Sequence, residues 1–154
     1  MLSDFQQLKK EFHYHCLDVI ASRLDVIDKN LKSLQKAKLN ETKSSAGDKY
    51  ETGRAMIQNQ EELYKTQRAQ TRSILNGLLQ IDPDKTCNQV ENGALVQLPM
   101  GFFYVGAGMG KLSHNNKDFF SISLKSPIGV QLKHKKAGDT YTLNNQTTTI
   151  LNVY

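Results

Sequence analysis

Leu17, Ile20, Leu24, Ile27, Leu31 and Leu34 recur at alternating spacings of three and four residues. That is the period of about 3.5 of a helix that buries a narrow apolar seam. Phe5, Leu8 and Phe12 carry the stripe back toward the start, and no proline interrupts it. The pattern predicts one helix from about Asp4 to Leu39, roughly 54 Å long at about 1.5 Å per residue. A second helix is predicted from about Ser45 to Leu79, with apolar positions at Tyr50, Ile57, Tyr64, Leu75, Leu78 and Leu79. Its middle, from Gln58 to Arg72, is polar, so its stripe is thin. Between the two, the stretch from Asn40 to Asp48 holds turn residues, including Ser44, Ser45 and Gly47. Ser45 followed three residues later by Asp48 resembles a capping box and predicts the second N-cap at Ser45. Two helices joined by so short a break predict an antiparallel hairpin. A dimeric coiled coil is the structural alternative.

The pattern changes near Ile81-Asp82-Pro83-Asp84, which reads as a helix stop and linker. All three prolines and seven of the ten glycines lie beyond residue 80. From there the runs are strand-like: residues 94–98, 102–105, 119–124 and 140–143, then a closing run from Thr147 to Tyr154. Asn144-Asn145-Gln146 fits a hairpin turn. Residues 128–135 predict one short helix. The class expected is α+β: a helical hairpin over residues 1–80, a linker over 81–87, and an antiparallel β domain over 88–154.

Charge changes this picture only modestly. Residues 1–85 carry 14 basic and 12 acidic side chains, and the remainder carries 6 and 3. The net +5 suggests an acidic partner surface rather than a dedicated nucleic-acid footprint. No run approaches the roughly 18 apolar residues of a membrane span, and the first residues lack a signal-peptide core. Cys16 and Cys87, without metal spacing, read as reduced thiols of a cytoplasmic protein. His13, His15 and Cys16 are close in sequence, but on a helix His13 and His15 point about 200° apart and cannot share an ion. Gly106-Ala107-Gly108-Met109-Gly110 lacks the lysine and helix of a phosphate loop and is expected to be a wide hairpin loop. No arrangement of a catalytic nucleophile and base can be argued from the spacing.

Two segments resemble the Gre-type transcript cleavage factors of bacteria. Residues 126–139, Ser126-Pro127-Ile128-Gly129-Val130-Gln131-Leu132-Lys133-His134-Lys135-Lys136-Ala137-Gly138-Asp139, are similar without a gap to the family's S-P-L/I-G-R-A-L-L-G-K-K-V-G-D. Gly93-Ala94-Leu95-Val96 and Tyr104-Val105-Gly106 sit where the family has its G-S-x-V and Y-x-I-V-G strands. Tyr50-Glu51-Thr52-Gly53-Arg54 resembles the segment just past the family's hairpin tip. The resemblance implies a coiled-coil hairpin followed by an FKBP-like domain in a monomer that binds RNA polymerase. It implies docking through Ser126, Pro127, Ile128, Gly129, Lys133, Lys135 and Lys136, with the hairpin entering the secondary channel. Nucleic acid would be met only through the transcription complex. The chain would be no enzyme and would hold no cofactor of its own, any Mg²⁺ being shared with the polymerase.

The tip departs from the family's D-L-S-E-N-A-E-Y. Here the aligned residues are Lys43-Ser44-Ser45-Ala46-Gly47-Asp48-Lys49-Tyr50, so the two metal-directed acids become Lys43 and Ala46 and a third acid becomes Lys49. An ammonium cannot ligate Mg²⁺. Glu41, Asp48 and Glu51 remain nearby. With Lys43, Ser44 and Ser45 they are the candidate contacts to the polymerase active site, and weak or absent cleavage stimulation is expected. The rival from another class is an FKBP-like prolyl isomerase or chaperone, with Phe102, Phe103, Tyr104, Phe119 and Phe120 lining an apolar pocket.

Overall fold

The structure is a computed structural model that describes residues 3–43 and 47–154, with side chains described outside residues 41–52. Its class is α+β. Two long helices, α1 (Asp4–Lys43) and α2 (Gly47–Leu79), precede seven short strands and one short helix. The strands are β1 (Leu95–Leu98), β2 (Gly101–Val105), β3 (Gly110–His114), β4 (Lys117–Ile122), β5 (Thr140–Leu143), β6 (Gln146–Thr149) and β7 (Asn152–Val153), and α3 (Pro127–Leu132) lies between β4 and β5. The predicted capping box reaches into Ser44–Ala46, outside the described residues.

The chain divides into two compact units. One joins the residues up to Asp18 with Asn76–Tyr154, and the other is Val19–Leu75. This corrects the expected boundaries, in which residues 1–80 formed the hairpin alone. The cause is the buried arc at the start of α1. Leu8, Lys9, Phe12, His13 and Cys16 are all buried, and so wide an arc is that of a helix lying on a sheet rather than of a coiled-coil seam.

In that unit five strands pair in the order β3-β4-β2-β1-β7, with β5 and β6 as a separate hairpin. Pairing is antiparallel except between β2 and β4, where Phe102 faces Phe119 and Val105 faces Ile122. Side chains alternate across the sheet. On one face Phe103, Val105 and Ile122 join Val96, Leu98, Leu132, Tyr141 and Ile150 in the core. On the other, Phe102, Tyr104, Phe119 and Ser121 meet α1: Phe12 stacks on Phe119 at 4.0 Å between ring centres, and Phe5 stacks on Tyr154 at 4.4 Å.

Three strand expectations change. The closing run is two strands, β6 paired with β5 and β7 paired with β1, with a fully buried Ile150 at the corner between them. β3 was absent from the sequence reading. The glycine-rich segment after β2 is no hairpin loop, because β4 inserts between β2 and β3. That segment is instead bonded to β4: Gly106 N–H donates to Ile122 at 2.8 Å and Met109 N–H to Ser121 at 3.1 Å.

The second unit is an antiparallel helix pair. Lys38 reaches Glu61 at 3.7 Å, and Asp28 reaches Arg68 at 3.8 Å, so positions rise along α1 as they fall along α2. Leu31 is buried, while Leu24, Ile27, Leu34, Ile57 and Tyr64 are half-buried. Within the polar middle of α2, Glu61 and Arg68 thus sit in the seam as ion-pairing residues, while most of their neighbours are exposed. Leu79, expected on the α2 stripe, is 61% exposed.

Candidate functional site

The corner from Ser126 to Asp139 is built around backbone geometry. Ser126 caps α3: its Oγ accepts from Gly129 N–H at 3.1 Å and donates to the Ser123 carbonyl at 2.6 Å. Pro127 stands at the first helical position, where no backbone donor is needed. Gly129 is buried, and a Cβ there would land on the Ser123 carbonyl. At the other end Lys133 N–H bonds the Gly129 carbonyl at 3.0 Å. The chain then turns through His134 at φ 65°, in the left-handed region that favours glycine. His134 N–H donates to Val90 and Val90 N–H to Lys135, at 2.9 and 2.8 Å, tying the corner to the segment before β1. Gly138, at φ 90°, gives its N–H to Ile150 at 2.8 Å.

These facts sort the expected docking residues. Ser126, Pro127 and Gly129 build the corner. Ile128 is half-buried against the core, so an acidic substitution there would cost stability as well as any contact. Lys135 is half-buried and spends its ammonium on the Thr140 carbonyl at 2.6 Å. Lys133 and Lys136 are exposed, and Lys136 N–H is held by Asp139 Oδ2 at 2.8 Å. Val130 is 60% exposed on α3.

Of the expected tip residues, Ser44 and Ser45 lie outside the described residues, and so do the side chains of Glu41, Lys43, Asp48 and Glu51. The aromatic residues of the isomerase reading do not line one pocket. Phe102, Tyr104 and Phe119 face α1, while Phe103 stacks on Phe120 at 4.9 Å across the opposite face.

Polar side chains are buried beneath the start of α1. Lys9 is fully buried, donating to the Lys85 carbonyl and lying 3.9 Å from Cys87 Sγ. Burial holds its ammonium pKa below the ordinary lysine value. His13 Nδ1 meets Tyr104 Oη at 2.7 Å. Burial lowers the imidazole pKa and raises that of the phenol. Cys16 lies 3.7 Å from Ser121 Oγ, and burial pushes its thiol up to about 11. A thiol so far from ionising is a packing group rather than a nucleophile. His13 and Cys16, two of the three residues weighed for a metal, are therefore engaged by the sheet.

Among the described residues no helix is long and apolar enough to cross a membrane. No family model matches the sequence, and no curated protein matches it. Among solved structures, the "Structure of the transcription factor Gfh1" aligns over 90% of this chain and 92% of its own, at 14% identity and a TM-score of 0.38.

Proposed function

We propose that the chain is a Gre-type factor that binds RNA polymerase and regulates transcription elongation, with weak or absent stimulation of RNA cleavage. The observation that carries this reading is the backbone at the motif's glycines. The resembling segment has glycine where this chain has Gly129, His134 and Gly138. Each position has its own backbone reason: no room for a Cβ at the first, and a positive φ at the other two. Even where the residue has changed to histidine, the conformation that glycine serves is present. The order of hairpin, linker and β unit agrees with it.

On this reading the outer side of α3 and the exposed Lys133 and Lys136 meet an acidic rim of the polymerase. The hairpin occupies the secondary channel, and the chain supplies no catalytic group of its own. Lys43 and Ala46, standing where the family has acids, leave the tip poorly suited to Mg²⁺.

Retention of core RNA polymerase by the immobilised full chain tests the reading. Binding is expected, and it should weaken at least tenfold in the folded double variant Lys133→Glu, Lys136→Glu. No retention by the unaltered chain would overturn it. In backtracked complexes the unaltered chain should stimulate little cleavage, and Lys43→Asp with Ala46→Glu should increase it. Strong cleavage abolished by Asp48→Asn would show a tip rebuilt from other acids.

A further inference from the structure

We propose that His15 and His114 form a two-imidazole site for a transition-metal ion, zinc(II) in particular, that clips the start of α1 to strand β3. The sequence offers His13, His15 and Cys16 as neighbours that cannot share an ion. The fold uses His13 on Tyr104 and Cys16 on Ser121. It leaves His15 and brings it a partner from 99 positions along the chain, the last residue of β3.

The spacing suits a shared ion. The two ring centres are 4.8 Å apart with planes tilted by 39°. Two imidazoles bound tetrahedrally to zinc, with Zn–N about 2.0–2.1 Å, have ring centres about 5 Å apart. The ring separation thus matches that of two imidazoles sharing one ion. Both are half-buried rather than sealed, so an ion can reach them with part of its water shell. The edge of Phe119, with ring centres 6.2 Å apart, limits the freedom of the His15 ring.

His114 Nε2 lies 3.2 Å from the Asn115 amide nitrogen. Asn115 is an exposed turn residue and can yield its place to a metal. Asp18, one turn along α1 from His15 and interacting with it electrostatically, adds negative charge beside the pair. Among the described residues no group of three His, Cys, Asp or Glu closes around an ion. Water therefore completes the shell, and the ion is exchangeable rather than a structural zinc.

The test uses the full chain stripped with chelator and titrated with zinc chloride. Imidazole NMR resonances of His15 and His114 should shift together and saturate at one ion per chain, with His13 and His134 unmoved. The melting temperature should rise with zinc. His15→Gln and His114→Asn should each weaken zinc affinity at least tenfold, while His134→Gln leaves it unchanged. Equimolar zinc that moves neither His15 nor His114, or that moves His134 alone, would overturn the site. Undiminished affinity in folded His114→Asn would do the same. Should a variant fail to fold, the resonances of the unaltered chain decide.

Discussion

The two units solve the same problem, burying one side of a helix, with different chemistry. The start of α1 lies on a sheet and buries a wide arc, anchored by Phe12 on Phe119. Over Val19–Leu75 the helices share a narrow seam, where Leu31 is buried and Glu61 and Arg68 take positions that apolar residues would otherwise fill. Shape decides stability in the first case and charge contributes in the second. A close-packed aromatic face loses several kcal/mol to one truncation. A partly exposed ion pair contributes less than about 1 kcal/mol and is screened by salt. The hairpin should therefore be the more readily opened unit, with lower hydrogen-exchange protection than the strands.

The largest expected effect is in the aromatic face. Phe12→Ala removes a fully buried ring and should destabilise the β unit by about 3–5 kcal/mol in urea unfolding. A loss below about 1 kcal/mol would break the comparison, since the sheet would then not depend on α1. Next comes Gly129→Ala, which places a methyl on the Ser123 carbonyl and should cost about 1–3 kcal/mol through displaced backbone. Its effect should appear in the melting of the β unit while the helical signal of the hairpin persists.

Much of this was legible in the sequence, and the parts that were not have physical reasons. The helices were readable because Leu17 to Leu34 keep one period without a proline. Asn144-Asn145-Gln146 was readable as a hairpin turn, and the structure narrows it to Asn144 and Asn145, both at positive φ. Asn115-Asn116 carry the same signal, at φ 51° and 64°, yet β3 was missed because it is a mostly polar edge strand. The docking of α1 on the sheet was hidden for another reason. Lys9, His13 and Cys16 form a second buried row, but a lysine and a histidine do not look like core residues. The motif's glycines pointed to the α3 corner, but which of its lysines were exposed depended on the Thr140 carbonyl, far from any sequence pattern.

A smaller effect is expected in the seam of the hairpin. Glu61 pairs with Lys38 across the helices and with Lys65 along α2, at 3.7 and 3.5 Å. Its carboxylate side chain is only 13% exposed, but both lysines are far more so. Glu61→Gln should cost less than about 1 kcal/mol at low salt. The difference from the unaltered chain should shrink in high salt, where the pairs are already screened. Amide exchange across residues 53–75 at two ionic strengths measures it. A loss of several kcal/mol, insensitive to salt, would mean that the seam depends on shape as the sheet does.

The smallest effect has the opposite sign. His134 holds φ 65°, a conformation costing a non-glycine residue roughly 1–2 kcal/mol. Its side chain is exposed, so removing the imidazole gives up little packing, and its N–H bond to Val90 is available to any residue but proline. Glycine relieves the backbone strain but gives the unfolded chain more freedom, a loss of about 0.4–1 kcal/mol. His134→Gly should therefore stabilise the β unit by a net of about 0.5 kcal/mol, read as a small rise in the urea midpoint at unchanged slope. The result bears on the reading of the corner as well as on its stability. If glycine is less stable than histidine here, the imidazole makes a contact that matters, and the motif's glycine is not explained by backbone geometry at this position. If it is more stable, the histidine is a departure tolerated at a backbone position suited to glycine.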